Sequence, residues 1–354
     1  MFRLEDIIRP NVKALTPYAS ARDEFKGSEG IFLDANENPF GSVAGDSMNR
    51  YPDPLQWKLK KEIAGWKGVK EDQIFLGNGS DEVLDLLIRA FCEPKIQHIL
   101  ITPPTYGVYA VYAAVNDVPV KKVQLNEDFS LDAGKVLAAI DDSTRLVFIC
   151  SPNNPTGNII PLEATRRIAE NFNGIVVVDE AYADFAETPS AISLLNEYPN
   201  IFVVQTFSKA WGMAALRLGM GFASREIVQV LNKIKPPYNI NAITQQLGWK
   251  ALQNQSAKDS WVAEIRTERK RLMDALPSIP CITHVYPSDA NFILVKTTGA
   301  AALYRYLTDK QIIVRNRASE PGCSECLRLT VGTPSENNTL LEALRSYPSN
   351  PSKN

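Results

Sequence analysis

Histidine is nearly missing from this chain: His98 and His284 are the only two in 354 residues, which leaves a mixed cysteine and histidine zinc site almost no imidazole to draw on. Cysteine is scarce as well. The five thiols are odd in number and Cys150 falls in an apolar strand pattern, so a secreted disulfide framework is excluded and reduced thiols are expected. Cys323-Ser324-Glu325-Cys326 has a metal-like spacing, but no second pair follows it. His98 precedes Ile99-Leu100-Ile101 and reads as the start of a strand; His284 has as little chemistry around it. No apolar run is long enough to span a bilayer, and Met1-Phe2-Arg3-Leu4-Glu5-Asp6 lacks the apolar segment of a signal peptide. A soluble, cytoplasmic protein with no membrane partner is the expectation. Charge of one sign is also missing, and a net charge of −2 gives no electrostatic reason to expect nucleic acid. Internal repeats and low-complexity tracts are absent, and only Pro348 to Asn354 has the composition of a frayed tail.

What the chain does have is a succession of apolar strands that end on chemistry. With 45% hydrophobic residues it can bury a sizeable core, and its length suits two domains. From about Asp53 to Arg225 helical and apolar-strand patterns alternate, the signature of an α/β fold with a mostly parallel sheet. Gly174-Ile175-Val176-Val177-Val178 carries no polar side chain and four β-branched ones, which predicts a strand buried on both faces with Asp179 at its carboxyl end. Open α/β sheets bind ligands at that edge. A carboxylate there can pair with a protonated pyridine nitrogen; alone, Asp179 could equally cap a following helix.

Leu146-Val147-Phe148-Ile149-Cys150 is another such strand, and it runs into Ser151-Pro152-Asn153-Asn154-Pro155-Thr156-Gly157. An amide from Asn154 suits an anionic ring oxygen, although an Asn-Pro turn is common in itself. Ile201-Phe202-Val203-Val204 leads to Thr206-Phe207-Ser208-Lys209, with Arg217 close behind. A lysine among hydroxyls at the mouth of a buried strand suits an amine that forms a Schiff base beside a bound phosphate, whereas an isolated Ser-Lys is an ordinary solvated loop end. Residues Asp81 to Phe91 have helical apolar spacing, and Gly79-Ser80-Asp81-Glu82 at their start would aim backbone N–H groups at a phosphate. Further on, Gln245 to Leu276 reads as long helices with a solvated face at Glu264 to Arg271. Alternation at Asn291-Phe292-Ile293-Leu294-Val295 and Leu327-Arg328-Leu329-Thr330-Val331 predicts strands of a smaller α+β domain.

Taken in order, Asn154-Pro155-Thr156-Gly157, Asp179-Glu180-Ala181-Tyr182 and Ser208-Lys209 with Arg217 resemble a fold-type I, pyridoxal phosphate-dependent aminotransferase. Asn36-Glu37-Asn38-Pro39, Arg50-Tyr51-Pro52-Asp53, Gly77-Asn78-Gly79-Ser80-Asp81-Glu82, Pro104-Thr105-Tyr106-Gly107 and Leu327 to Thr333 narrow the resemblance to the histidinol-phosphate aminotransferase family, over nearly the whole chain. The resemblance implies a large cofactor-binding domain at about 46–250 and a small domain built from 1–45 and 251–354, the amino-terminal segment packing against the carboxy-terminal part. It implies that Lys209 holds pyridoxal phosphate, that Tyr106 stacks on its ring, and that Asp179, Asn154 and Tyr182 tune it. Ser208, Arg217, Thr206 and the Ser80 and Asp81 backbone would hold the cofactor phosphate, joined by Tyr51 from the partner subunit of a homodimer. Arg328 would take the carboxylate of glutamate, and Tyr18 and Arg315 the phosphate of histidinol phosphate. For Arg315 an exposed charge is an equal reading, since either arginine of Val314-Arg315-Asn316-Arg317 could point inward.

The implied reaction moves the amino group of histidinol phosphate to 2-oxoglutarate, giving imidazole-acetol phosphate and glutamate in histidine biosynthesis. Relatives that share most of these motifs keep a threonine-phosphate decarboxylase and an aromatic amino acid aminotransferase open. A non-enzymatic regulator that senses pyridoxal phosphate is disfavoured because no basic helix-turn-helix segment is left over. Trp211 and Ala215 stand where the family pattern has another aromatic and a glycine, which bears on the shape of the substrate pocket.

Overall fold

The computed structural model describes residues 2–18, 30–45 and 48–348. Its large sheet contains β1 (Ile74–Asn78), β2 (His98–Ile101), β3 (Val120–Lys122), β4 (Thr144–Cys150), β5 (Ile175–Asp179), β6 (Ile201–Thr206) and β7 (Leu218–Phe222). Their spatial order is β1-β7-β6-β5-β4-β2-β3. β2 to β6 pair in parallel, and β7 alone runs antiparallel to both its neighbours.

Both faces are covered, which is what the unbroken apolar runs require. Along β5, Val176 and Val178 face one hydrophobic cluster, with Val147, Ile149 and Val203, while Ile175 and Val177 face another, with Phe75, Phe148 and Phe202. The period-2 geometry of a strand sorts the side chains this way. Helix Gly79–Phe91 buries Val83, Leu84, Leu87, Ile88 and Phe91 in the second cluster, at helical spacing.

The small sheet holds β8 (Ile282–Val285), β9 (Phe292–Thr297), β10 (Arg315–Asn316) and β11 (Cys326–Thr330), ordered β10-β11-β9-β8 and antiparallel throughout. It packs on helices Gln255–Ala275, Ala300–Asp309 and Pro334–Arg345 around Leu272, Ile293, Leu303, Leu327 and Leu341. The helical stretch expected at 245–276 is two helices, Ala242–Leu252 and Gln255–Ala275. The first closes where the N–H groups of Gln253 and Asn254 turn back onto the carbonyls of Lys250 and Ala251.

The amino terminus differs from expectation. Ile7 and Val12 are buried in the same cluster as Phe91 and Leu231, the Arg9 N–H bonds the Ala90 carbonyl at 3.1 Å, and the Lys233 ammonium reaches the carbonyls of Val12 and Lys13. Residues 2–14 therefore dock on the large sheet's helices and do not complete the small domain, because two apolar side chains find their complement there. The expected frayed tail, beyond Pro348, lies outside the described residues, as does the expected domain boundary at residue 46.

Candidate active site

The carboxyl ends of the parallel strands bring the expected residues to one edge of the large sheet. β4 runs out toward Asn154, β5 ends on Asp179, and β6 ends on Thr206 just ahead of Ser208 and Lys209. β1 ends at Asn78, where helix Gly79–Phe91 begins with Ser80 and Asp81. Because β7 runs the opposite way, its first residue lies at this same edge and Arg217 precedes it directly. A single cavity is lined by these groups together with Tyr106 and Tyr182.

Asp179 is buried, which disfavours its charged form and pushes its pKa up; hydrogen bonds oppose the shift. The Tyr109 hydroxyl donates to Oδ2 at 2.6 Å and the Ala181 N–H to Oδ1 at 3.1 Å, so each oxygen has one donor and the carboxylate is fixed. Neither contact is a helix cap: the short helix that follows, Ala183–Phe185, has Tyr182 at its N-cap position and no side-chain cap. Glu180, its neighbour, is buried elsewhere, satisfied by Ser190, the Ala191 N–H and Gln205.

Asn154 joins the large-domain floor to the small sheet. Its amide donates to the Tyr182 hydroxyl at 3.3 Å, and its Oδ1 accepts from Arg328 Nη1 at 2.5 Å. Arg328 lies over the Phe292 ring at 5.0 Å, and Tyr182 meets that ring edge-on. Lys209 opens into the cleft with Nζ 5.6 Å from the Tyr182 ring centroid. Burial of its stem, and then the positive Arg328, push its pKa below the ordinary lysine value, which enriches the neutral, nucleophilic amine.

At the other end of the cavity stands an anion cradle. Arg217 has φ +55°, a left-handed conformation costly for a residue with a side chain, and such strain clusters at functional sites. It aims Nη2 at Asp81 (3.2 Å) and Nη1 toward Ser208 Oγ (3.5 Å), while its carbonyl takes the Gly79 N–H at 2.8 Å. Thr206 Oγ1 donates to Ser208 Oγ at 3.0 Å and accepts the Ser208 N–H at 3.1 Å. Gly219 is obligatory here, since a Cβ would collide with the Ser80 backbone nitrogen. Asn78 makes no side-chain cap to the helix start, so the first-turn N–H groups face the cleft as a ready anion site. A phosphate therefore fits beside Arg217 and Ser208, and a protonated pyridine nitrogen fits at Asp179. The residues present suit pyridoxal phosphate.

A scan against family models matches residues 28–344 to "Aminotransferase class I and II". The chain belongs to the aminotransferase class I and II family. A histidinol-phosphate aminotransferase of Cytophaga hutchinsonii is 54% identical over 346 residues, 98% of this chain and 99% of that one. The crystal structure of the histidinol-phosphate aminotransferase from Clostridium acetobutylicum superposes with a TM-score of 0.78 at 27% identity, covering 84% of this chain and 90% of that one. The L-threonine-O-3-phosphate decarboxylase of Porphyromonas gingivalis shares the fold with a TM-score of 0.73 at 20% identity, covering 85% and 91%.

Within this family fold, four expected site residues do not line the cavity: Tyr18, Tyr51, Arg315 and Arg328, the last of which reaches it through its bond to Asn154. Tyr18 is 76% exposed, and Tyr51 is 51% exposed, stacked on Tyr238 with ring centroids 4.4 Å apart. Arg315 is exposed on β10, directly opposite Arg328 in the ladder. Trp211 is buried against Phe207 and Trp66 and does not line the cavity, so this departure from the family pattern alters the core and leaves the pocket's shape alone. Tyr109 escaped the sequence reading, although it lies one helical turn after Tyr106, whose ring it meets edge-on. A tyrosine at that spacing on a helix facing the β5 end was the available signal. Cys323 and Cys326 are buried beside Phe129 and Leu294.

Proposed function

We propose that this chain transfers the amino group of histidinol phosphate to 2-oxoglutarate, with pyridoxal phosphate held at Lys209. The observation that carries the reading is the convergence of a cleft lysine, a doubly hydrogen-bonded carboxylate and an arginine-lined phosphate cradle on one cavity, with the Arg328 guanidinium bonded to the Asn154 that lines it. Sequence identity of 54% to a histidinol-phosphate aminotransferase supports the choice of substrate.

Pyridoxal phosphate supplies an electron-accepting ring that stabilises negative charge developing on the amino-bearing carbon of a substrate. The protein's residues do the rest. Asp179, oriented by Tyr109 and Ala181, would hold the proton of the ring nitrogen. Arg217, Ser208 and the helix start at Ser80 and Asp81 would hold the phosphate, Tyr106 would cover a ring face, and Asn154 and Tyr182 would donate to the ring oxygen. Lys209 would link to the cofactor, and its Nζ would be the base that takes the proton from the substrate carbon. Burial and the positive Arg328 lower its pKa, which favours the neutral amine that a base must be. Arg328 and Arg315 receive the anionic end of either substrate.

A homodimer belongs to the same proposal, with Tyr51 and Tyr18 serving the neighbouring cavity. Their exposure, and that of Ile31, Leu33, Phe40 and Val43 nearby in sequence, supports an interface with a second copy. A cytoplasmic setting is supported by five buried cysteines, all unpaired. The test is a panel of histidinol phosphate, threonine phosphate, phenylalanine and aspartate, each with 2-oxoglutarate, scored for glutamate and for carbon dioxide. Glutamate is expected with histidinol phosphate foremost. Carbon dioxide from threonine phosphate with little glutamate overturns the assignment.

A further inference from the structure

The β10–β11 ladder pairs Arg315 with Arg328 and Asn316 with Leu327, and the Arg317 N–H continues it with a 3.0 Å bond to the Cys326 carbonyl. Side chains alternate faces along a strand, so Arg315, Arg317 and Arg328 share one face while Leu327 points into the small-domain core. Arg315 is exposed, but the Arg317 side chain keeps only 19% exposure. Its Nε is buried and has no hydrogen-bond partner among the described residues, and the same holds for Arg328 Nε. The one ion pair of Arg317 among them, to Glu320 at 3.5 Å, is long for a hydrogen bond. Burying a guanidinium with so few acceptors is costly unless an anion completes it. The two charges are also coupled: burial first, and then the positive Arg317 and Arg315, hold the Arg328 guanidinium below its ordinary pKa.

We propose that Arg317 is a further anion ligand of the substrate pocket, and that it makes the site favour a phosphate dianion over a carboxylate. The inference rests on the reading above for where the substrate lies. A carboxylate has two oxygens and one charge, which one bidentate arginine satisfies. A phosphate dianion brings three oxygens and about two charges, so Arg328 with the exposed Arg315 leaves it short of buried donors, and Arg317 is the partly buried guanidinium on the same face.

The experiment compares wild type, Arg317→Gln and Arg317→Lys as dimeric holoenzymes, with histidinol phosphate and glutamate as amino donors. Arg317→Gln is expected to lower kcat/KM for histidinol phosphate roughly thirtyfold, mainly through KM, and for glutamate less than about threefold. Arg317→Lys recovers part of the loss, since it keeps the charge without the fork. Inorganic phosphate, used as a competitive inhibitor, loses potency against Arg317→Gln by a similar factor. Equal losses for both donors, or unchanged phosphate inhibition, overturn the proposal. Should Arg317→Gln fold poorly, Glu320→Gln gives an independent arm: freeing Arg317 of its acidic neighbour should tighten phosphate about threefold, and no tightening counts against the idea. If wild type uses histidinol as well as its phosphate, the substrate reading itself fails. If wild type discriminates but Arg317→Gln discriminates equally well, only the Arg317 assignment falls.

Discussion

Asp179, at the end of β5, has a donor on each oxygen at 2.6 and 3.1 Å, whereas the Nε atoms of Arg317 and Arg328 on the β10–β11 hairpin are buried with no partner among the described residues. The first arrangement is closed and the second open. At the sheet edge Asp179 ends a strand whose side chains fill two apolar clusters, and its two donors fix the carboxylate before anything binds. The hairpin lies across the cleft on a separate core and touches the floor through Asn154. On the proposed function, chemistry would use the fixed donor set, while substrate choice would fall to a few cations on a small sheet with a core of its own.

Variants of decreasing severity probe this contrast. Lys209→Ala removes the cofactor link and the base together, so turnover should fall by at least ~10⁴-fold while the phosphate cradle still binds some cofactor. Borohydride reduction followed by peptide mapping should label Lys209 in the wild type, and a label on another lysine sinks the assignment.

Asp179→Asn keeps the shape but removes the charge from the closed floor. Single-turnover deamination should slow by about three orders of magnitude, or about 4 kcal/mol, with cofactor still bound. A rate equal to wild type would reduce Asp179 to a turn residue.

Tyr109→Phe deletes one of the two donors to Asp179. The loss should be about tenfold, near 1.4 kcal/mol, with little change in melting temperature because the ring still packs on Phe148. Without that bond, burial is less opposed and the apoprotein's Asp179 pKa should rise further, visible by infrared titration of the carboxyl band. If neither number moves, the floor is held by packing alone and the contrast with the hairpin loses its basis.

The mildest test couples the two regions. Arg328 is the second cause, after burial, that depresses the Lys209 pKa, so Arg328→Met should raise it. Only the neutral amine captures the cofactor aldehyde. The pH profile for covalent loading of the apoprotein, followed by visible absorbance, should therefore shift to higher pH in the variant, with less loading at neutral pH and convergence well above it. Superimposable profiles would show the hairpin and floor to be electrostatically independent.

Much of the floor could be read from local pattern. A run such as Ile175-Val176-Val177-Val178 has one stable fate, a strand buried on both faces, and its following Asp179 must then stand at the sheet edge. Lys209 and Asn154 followed by the same logic, and the apolar spacing after Gly79 marked the helix start. Three things depended on contacts between residues far apart in the chain. The antiparallel run of β7, which brings Arg217 to the edge, is a matter of strand pairing that an apolar pattern does not encode. The amino terminus went to the large sheet because Ile7 and Val12 found complementary apolar faces, among them Phe91 and Leu231, far along the chain, a long-range choice that composition leaves open. Which arginine of Val314-Arg315-Asn316-Arg317 leaves solvent was undecided by spacing, since residues two apart in extended chain fall on one face. Burial by neighbouring elements, which left Arg315 exposed and enclosed the Nε of Arg317, settled it.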